Sequence, residues 1–425
     1  MRKMQDNGWM SAAEQLIYAA LGLLVGLAVG AVVGIFGRGV EFFSALGASH
    51  FSLYVWFMPV VGILTVAMLK KWGKGNIGMA AAFRASRGET KGFPLRNVVF
   101  QFAGTWSAHL FCASVGREGA AIQIGAALGS GIGRNIPLRG AERILIVSGM
   151  AAGFSALFST PVCALFFSLE VTIVGGLHLR ALVASAVSSF TAWYTASLCG
   201  LSHTLIAAGD APSLTLAVLA KLIVLGAAFG LTGFAFCIIR GAAGKFFRTG
   251  IKNAYLRVGL AGAMLACLLY LSGGRYSGLG TNLIEIAVSG GKIYSFDFIV
   301  KILFTAVTLA VGFLGGEVTT FFAAGTCLGL VLGEALGLPP VFAACLGYAA
   351  VFGAATNTLF APVLLCVELF GGALLPHAAI VCTSAYLFNF NRSVYDQRYR
   401  EGVASRSVFR NRFRQSELPL LHRAG

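Results

Sequence analysis

Long apolar segments that carry almost no charge recur along the whole chain and constrain its fold more than any other feature. They lie at about 15–36, 52–69, 97–115, 120–133, 144–158, 161–176, 181–200, 214–239, 257–272, 298–314, 320–333, 341–356 and 359–388. Of the 425 residues, 57% are hydrophobic and 11% are charged, against about 25% charged in soluble domains. Because a bilayer can solvate such a surface and water cannot, we expect an all-α polytopic membrane protein.

Several of these segments are too short to cross a bilayer upright. A perpendicular helix needs roughly 20 residues, so the segments near 120–133, 144–158, 320–333 and 341–356 are expected to be tilted partial helices that end inside the protein. Helices broken in this way form ion sites in membrane transporters.

The basic residues indicate the orientation of the chain. There are 32 Lys and Arg against 16 Asp and Glu, but the aromatic residues lie outside the basic clusters, so we expect no nucleic acid partner. Cytoplasmic loops carry the excess of Lys and Arg. Basic clusters lie at 70–96, at 240–257 and in the tail after Asn391, and Arg2 and Lys3 mark the N-terminus. All are expected in the cytoplasm, although the tail can instead bind anionic lipid.

An internal repeat divides the chain into two halves. Gly116, Gly125, Leu128, Gly129 and Gly133 recur 200 positions later, and residues 149–170 align with 347–368 at an offset of 198. Composition bias does not align two separate blocks at nearly one offset. We therefore predict an N-terminal segment 1–11, membrane repeats 12–200 and 214–392, and a tail 393–425. Such repeats place a substrate site at their interface near the bilayer midplane, which indicates a transporter or channel.

The matched segments 114–120 and 315–320 are the predicted site. They read Ser-Val-Gly-Arg-Glu-Gly-Ala and Gly-Gly-Glu-Val-Thr-Thr. A helix that begins in either segment directs its free backbone N–H groups and the positive end of its dipole towards an anion. The second segment adds two threonine hydroxyl donors, Thr319 and Thr320.

Two glutamates stand at these expected helix starts. An ionised carboxylate there competes with an external anion for the same place and leaves it when protonated. Glu118 can therefore couple anion movement to a proton, or it can be a structural residue paired with Arg117. Glu317 has the same two interpretations.

Other polar residues in apolar segments are expected to be structural. Glu170 and Glu368 end matched segments, which predicts a shared role in capping or pairing at helix ends. His109 is expected to be a core histidine, because no second His or Cys stands beside it at metal-ligand spacing. The sequence predicts no metal site, no cofactor and no enzymatic motif.

These residues resemble the CLC chloride channel and transporter family over about 12–400. Gly-Arg-Glu-Gly at 116–119 is similar to the family's second anion-binding segment, and the resemblance implies that Glu118 is the gating, proton-accepting glutamate. It also implies a CLC-type inverted repeat of tilted and broken helices, a homodimer with one pore per subunit, and a bacterial inner membrane location with both termini cytoplasmic.

Within the family, the sequence is more similar to the bacterial fluoride/proton antiporter branch. Gly-Glu-Val-Thr at 316–319 resembles that branch's Gly-Glu-Val-Thr-Pro. Val171 stands where chloride exchangers carry an inner proton-transfer glutamate, which leaves Glu317 as the candidate. Asn76 and Met79 lie in a segment similar to the branch's Gly-Asn segment, and Tyr395 resembles the pore tyrosine, although an interfacial aromatic is the other interpretation.

The resemblance implies export of fluoride in exchange for protons across the bilayer. The alternative is a CLC protein selective for chloride or nitrate, either an exchanger or a voltage-gated-type chloride channel. A membrane enzyme or scaffold lacks any supporting motif. The candidate anion-binding residues are Gly116, Arg117, Gly119, Asn76, Met79, Gly316, Val318, Thr319, Thr320 and Tyr395.

Three positions depart from the family pattern. Ala120 replaces the usual Thr or Pro, Thr320 replaces the Pro after Glu-Val-Thr, and Leu359 replaces the Pro common after Asn-Thr. Losing Pro at a first helical position removes preorganisation of the turn but does not by itself remove the helix.

Overall fold

The structure, a computed structural model, describes residues 10–201, 208–209 and 211–399, and these form an all-α assembly with one very small sheet. Arg2, Lys3 and the tail from residue 400 onwards lie outside the described residues. The helices are α1 (Ala12–Ser49), α2 (Phe51–Tyr54), α3 (Met58–Trp72), α4 (Met79–Ser86), α5 (Arg96–Leu110), α6 (Glu118–Gly133), α7 (Ala141–Phe158), α8 (Pro161–Glu170), α9 (Leu182–Leu198), α10 (Leu216–Gly250), α11 (Ala254–Leu271), α12 (Thr281–Val288), α13 (Asp297–Val311), α14 (Val318–Leu336), α15 (Pro340–Thr356), α16 (Phe360–Phe370) and α17 (Leu375–Phe388).

Six helical segments of the described chain are long and apolar enough to cross a membrane. The longest, α1, has 38 residues, so at about 1.5 Å per residue it exceeds a hydrocarbon core about 30 Å thick and must tilt or project. Most of its glycines and valines are buried, whereas Leu23, Leu24 and Leu27 are exposed. This face is suited to lipid, and the chain is an integral, multi-pass membrane protein.

The four short apolar segments are helices, but two of them are long enough to cross a membrane, so the expectation that all four are partial helices was wrong for these two. α6 has 16 residues and α15 has 17, which is short for an upright crossing. α7 and α14 reach 18 and 19 residues and are long enough to cross. They extend past their apolar cores because charged residues, Glu142 in α7 and Glu334 in α14, continue the helix at its end.

Glycines allow the partial helices to pack in two close pairs. α6 lies against α7, where a Cβ on Gly125 would collide with the carbonyl oxygen of Gly149, and a Cβ on Gly149 would collide with that of Gly125. Gly325 in α14 and Gly347 in α15 repeat the same mutual approach. The two repeats therefore contain matched helix pairs whose backbones touch, as small residues permit in membrane proteins.

Two glutamates cap helices of the opposite repeat, as their matched positions predict. Glu170, the last residue of α8, accepts hydrogen bonds from the amides of Leu359, Phe360 and Ala361 at the start of α16. Glu368, near the end of α16, accepts from the amides of Val162 and Cys163 at the start of α8. Each carboxylate satisfies N–H groups that have no intrahelical partner and lies at the positive end of a helix dipole. This reciprocal capping joins the repeats.

The missing prolines do not remove the expected helices. α6 begins at Glu118 with Ala120 in its first turn, and α14 begins at Val318 with Thr320 in its first turn. α16 begins directly after Leu359, where Glu170 supplies the cap.

A short sheet and an arginine hold the segment that carries Tyr395. Strand β1 (Ile173–Val174) pairs in parallel with β2 (Arg398–Tyr399). Arg87, in the loop after α4, donates to the backbone carbonyl of Asp396 at 2.8 Å. The same guanidinium donates to Glu89, which holds the pKa of that loop carboxyl below its usual value.

Candidate anion and proton site

The two predicted helix starts meet at the centre of the protein. Gly116 and Gly316 form an antiparallel backbone bridge, with the Gly116 amide 2.5 Å from the Gly316 carbonyl and the Gly316 amide 2.7 Å from the Gly116 carbonyl. α6 and α14 begin two residues after these glycines. A Cβ on Gly116 would lie 2.7 Å from Thr319 Oγ1, so only glycine allows this approach. Two positive helix ends are thereby brought together, an arrangement that favours an anion.

The carboxylate of Glu118 occupies this meeting point. Its Oε2 accepts from the amide of Arg117 at 3.0 Å and from the amide of Thr319 at 3.2 Å, and its Oε1 accepts from the hydroxyl of Thr319. The residue is fully buried. Glu118 belongs to the first repeat, yet its main donors come from the first turn of α14 in the second, so it fills the position that an anion would take there.

The Arg117 side chain does not form an ion pair with Glu118, the contact on which the structural interpretation of Glu118 was based. The Arg117 guanidinium lies 3.2 Å from the carboxylate of Glu41 in α1. Arg117 meets Glu118 only through its backbone amide. Because the charge of Arg117 is directed at another carboxylate, Glu118 is held by neutral donors and helix dipoles.

Glu317 stands immediately before α14 and faces a different set of neighbours. It is 6% exposed, and its carboxylate lies 3.9 Å from the guanidinium of Arg240 on α10. Arg240 also donates to the carbonyl of Val394 at 3.3 Å. Glu317 is therefore joined by one arginine to the segment that carries Tyr395.

Tyr395 is buried beside α4 and not at an interfacial surface. It is 5% exposed, and its ring meets the ring of Phe83 edge-on at 5.3 Å. The preceding residues are anchored to the end of α15, where the Val394 amide donates to Ala355 and the Ser393 hydroxyl to Thr356. These contacts fix Tyr395 between α4 and the C-terminal end of α15.

Asn76 and Met79 belong to the segment around α4 and not to the paired helix starts. Asn76 donates to the carbonyl of Gly92 at 3.5 Å and accepts from Asn97 at 3.0 Å. Met79 begins α4, one turn before Phe83. Within residues 10–201, 208–209 and 211–399, no hydrogen bond joins Asn76 to α6 or α14; α4 instead brings this segment to Tyr395. Gly119, Gly316, Val318 and Thr320 are all buried at the helix starts.

The structure adds a buried lysine that the sequence analysis missed. Lys301, on α13, is fully buried and bonds to Ser114, two residues before Gly116. A single lysine inside the otherwise apolar segment 298–314 was the available signal, because charged residues within membrane segments are commonly functional. Only the fold could show that it reaches the helix starts.

Comparison with known proteins identifies the family. The model of the voltage gated chloride channel family matches residues 61–389, more than half of the chain. A chloride/fluoride channel protein of Pseudomonas syringae pv. tomato is 32% identical over 387 residues, which cover 89% of this chain and 85% of that protein. The chain belongs to the voltage gated chloride channel family. An H⁺/Cl⁻ exchange transporter of Vibrio cholerae, another relative, is 26% identical over 72% of this chain and 68% of that protein.

Solved structures of the family have the same fold. A crystal structure of a CLC-type fluoride/proton antiporter matches with a TM-score of 0.89 and 39% identity, covering 92% of this chain and 100% of that one. A slow cyanobacterial Cl⁻/H⁺ antiporter matches with a TM-score of 0.75 at 17% identity, covering 88% of this chain and 94% of that one. The first likeness confirms the CLC-type inverted repeat of tilted and broken helices expected from the sequence.

Proposed function

We propose that this protein exports fluoride in exchange for protons, with Glu118 as the protonatable gate. The observation that supports the proposal most is the position of the Glu118 carboxylate at the start of α14. There it accepts hydrogen bonds from both the amide and the hydroxyl of Thr319. Those donors are the ones a bound anion needs. When Glu118 takes up a proton, its negative charge is lost and an anion can replace it.

Fluoride suits a site of this kind. It is small and strongly hydrated, so its binding must replace lost water with several close N–H and O–H donors. The start of α14 supplies backbone amides and two hydroxyls in consecutive residues, Thr319 and Thr320. The crystal structure with 39% identity is described as a fluoride/proton antiporter, and the relative with 32% identity as a chloride/fluoride channel protein.

Glu317 is proposed to carry the proton on the inner side. Val171 follows Glu170 and supplies no second carboxylate there, and Glu170 itself caps α16. Glu317 lies next to Arg240, which is partly exposed, with 31% of its side chain accessible. Water that reaches the partly exposed Arg240 comes close to Glu317, so a proton from the solvent has a short route to this buried carboxylate.

The remaining assignments belong to the same proposal. Residues 12–200 and 214–392 are the two repeats, and two copies of the chain form a homodimer in a bacterial inner membrane, with both termini in the cytoplasm. The protein acts as a transporter without enzymatic activity. The residues proposed to border the anion path are Gly116, Arg117 through its amide, Gly119, Asn76, Met79, Gly316, Val318, Thr319, Thr320 and Tyr395.

Ion flux from liposomes tests the selectivity. Purified protein is reconstituted into vesicles loaded with fluoride or with chloride, and the efflux of each ion is recorded with an ion-selective electrode. We expect fluoride efflux to exceed chloride efflux by at least about tenfold, which requires only about 1.4 kcal/mol of differential binding. Chloride efflux equal to or faster than fluoride efflux would overturn the fluoride assignment and favour a chloride exchanger, the activity named for the Vibrio cholerae relative.

A further inference from the structure

A chain of buried side chains runs from Lys301 to the first turn of α14. The ammonium of Lys301 lies 3.0 Å from Ser114 Oγ. Ser114 Oγ lies 3.0 Å from Thr305 Oγ1, which lies 2.8 Å from Thr320 Oγ1. All four side chains are fully buried. Among the described residues no carboxylate lies within ion-pair distance of Lys301, so its charge is not neutralised by an ion pair.

The three N–H groups of Lys301 limit the direction in which the hydrogen bonds of this chain can run. An ammonium has three N–H donors and no acceptor, and Lys301 has three oxygen acceptors: the carbonyls of Tyr276 and Gly278, at 3.1 and 2.7 Å, and Ser114 Oγ. Ser114 therefore accepts from Lys301, which leaves its single hydroxyl hydrogen available for Thr305.

The same reasoning applies to the hydroxyl groups of Thr305 and Thr320. In this orientation Thr305 accepts from Ser114, and its one hydroxyl hydrogen is available to Thr320 Oγ1. Thr320 Oγ1 is then an acceptor towards Thr305, and its own hydrogen has no acceptor among the described residues. Thr320 directly follows Thr319, which holds the Glu118 carboxylate. The free hydrogen therefore lies in the first turn of α14, one residue beyond the threonine that contacts Glu118.

We propose that Lys301 is a positioning residue that acts through Ser114 and Thr305 and orients the Thr320 hydroxyl as a donor to the transported anion. Hydrogen bonds from a charged donor are stronger, and each one polarises the next in a chain. The lysine thereby strengthens a neutral donor at the anion site without placing its own charge there, where it would hold the anion too tightly to release it.

The first repeat lacks this arrangement, which supports the proposal. At the position 200 residues before Lys301 stands Gln101, which donates to Gln123; Gln123 in turn donates to the carbonyl of Gly119. The residues matching Thr319 and Thr320 are Gly119 and Ala120, which have no hydroxyl. The lysine and the hydroxyl chain thus occur together, in the repeat whose helix start presents hydroxyl donors.

The test breaks the chain at Thr305 and leaves the carbonyl contacts of Lys301 in place. This inference rests on the proposed function, so fluoride efflux is measured in proteoliposomes for wild type, Thr305→Val, Thr305→Ser and Thr308→Val. Thr308 is a matched control, since it is equally buried on α13 but donates to the carbonyl of Phe304. Lys301→Met is added where it remains monodisperse in detergent.

We expect Thr305→Val to raise the KM for fluoride about tenfold, the effect of losing one hydrogen bond to a charged group, with turnover at saturating fluoride unchanged. Thr305→Ser restores the hydroxyl and should retain the wild-type KM, as should Thr308→Val. A wild-type KM in Thr305→Val, or an equal rise in Thr308→Val, would overturn the inference. A wild-type protein that transports no fluoride would instead refute the proposed function, so the two failures are distinguishable.

Discussion

The two glutamates at the helix starts have different neighbours and therefore different proposed tasks. Glu118 is held by neutral donors from both repeats, whereas Glu317 lies beside the guanidinium of Arg240. A carboxylate among neutral donors can be exchanged for an anion that accepts the same hydrogen bonds. Glu317 is slightly exposed and lies beside a partly exposed side chain, whereas Glu118 is fully buried, so Glu317 is the one better placed to exchange protons with water.

Replacing Glu317 with Gln separates proton transfer from anion movement. Glu317→Gln keeps the size of the side chain but cannot be deprotonated, so proton transport should fall by about a hundredfold, the lower end of what a proton-transferring side chain contributes. Fluoride efflux should continue. The measurement follows external pH and external fluoride together in proteoliposomes.

Glu334→Gln is the matched control, since Glu334 lies exposed at the other end of α14. It should transport both ions as the wild type does. Proton transport at the wild-type rate in Glu317→Gln would contradict the role of Glu317.

Residue roles were predictable from the sequence where local backbone structure decides them. A glutamate at the start of a partial helix has a physical meaning that does not depend on distant contacts, and the structure places Glu118 as expected. The partners of Arg117 and Lys301 were not predictable, because Glu41 and Ser114 are brought to them by folding over 76 and 187 positions.

At the scale of helices, packing depends on glycines that allow backbones to touch. The pairs α6 with α7 and α14 with α15 each bring two glycines into mutual contact. Because α6 and α14 begin at the anion site, their packing also determines where their N-terminal amides point. A change that separates one pair should alter both stability and the site.

Gly125→Ala tests this packing. The added methyl group collides with the backbone of α7, and overpacking typically costs about 1–3 kcal/mol. The melting temperature in detergent, followed by tryptophan fluorescence, should therefore fall.

Gly241→Ala on α10 provides the control, since a Cβ there meets no atom within 4 Å. Alanine is a better helix former than glycine by about 0.5–1 kcal/mol, so this variant should melt at the same or a higher temperature. Equal melting temperatures for Gly125→Ala and the wild type would show that the contact is not tight.

Helix positions were predictable from apolar segments, but their ends and breaks were less so. The segment 359–388 contains two helices, α16 and α17, separated at Gly371, whose φ of 104° is rarely adopted by other residues. The eight-residue helices α4 and α12 are flanked in the sequence by glycines and polar residues, so hydropathy gives little signal for them. The predicted segments for α7 and α14 were also too short, because charged residues were taken to mark the helix ends.

For the whole molecule, both halves of the chain contribute residues to the proposed site. The first repeat supplies Glu118, and the second supplies Thr319, Thr320 and the buried lysine. The bridge between Gly116 and Gly316 and the reciprocal caps of Glu170 and Glu368 fix the repeats against each other. The repeat was visible in the sequence at an offset of 200, so the meeting of the two matched helix starts was predictable even though their full set of contacts was not.

Fluoride-driven proton pumping tests the central claim most directly. Vesicles holding the wild-type protein are loaded with fluoride, diluted into fluoride-free buffer of equal pH, and followed by external pH. Export of fluoride in exchange for protons should make the exterior alkaline, whereas leakage of hydrogen fluoride makes it acidic, as protein-free vesicles will show. Vesicles with Glu118→Gln should show no rise in external pH. Fluoride efflux through the wild type without external alkalinisation, or proton pumping that persists in Glu118→Gln, would contradict the account.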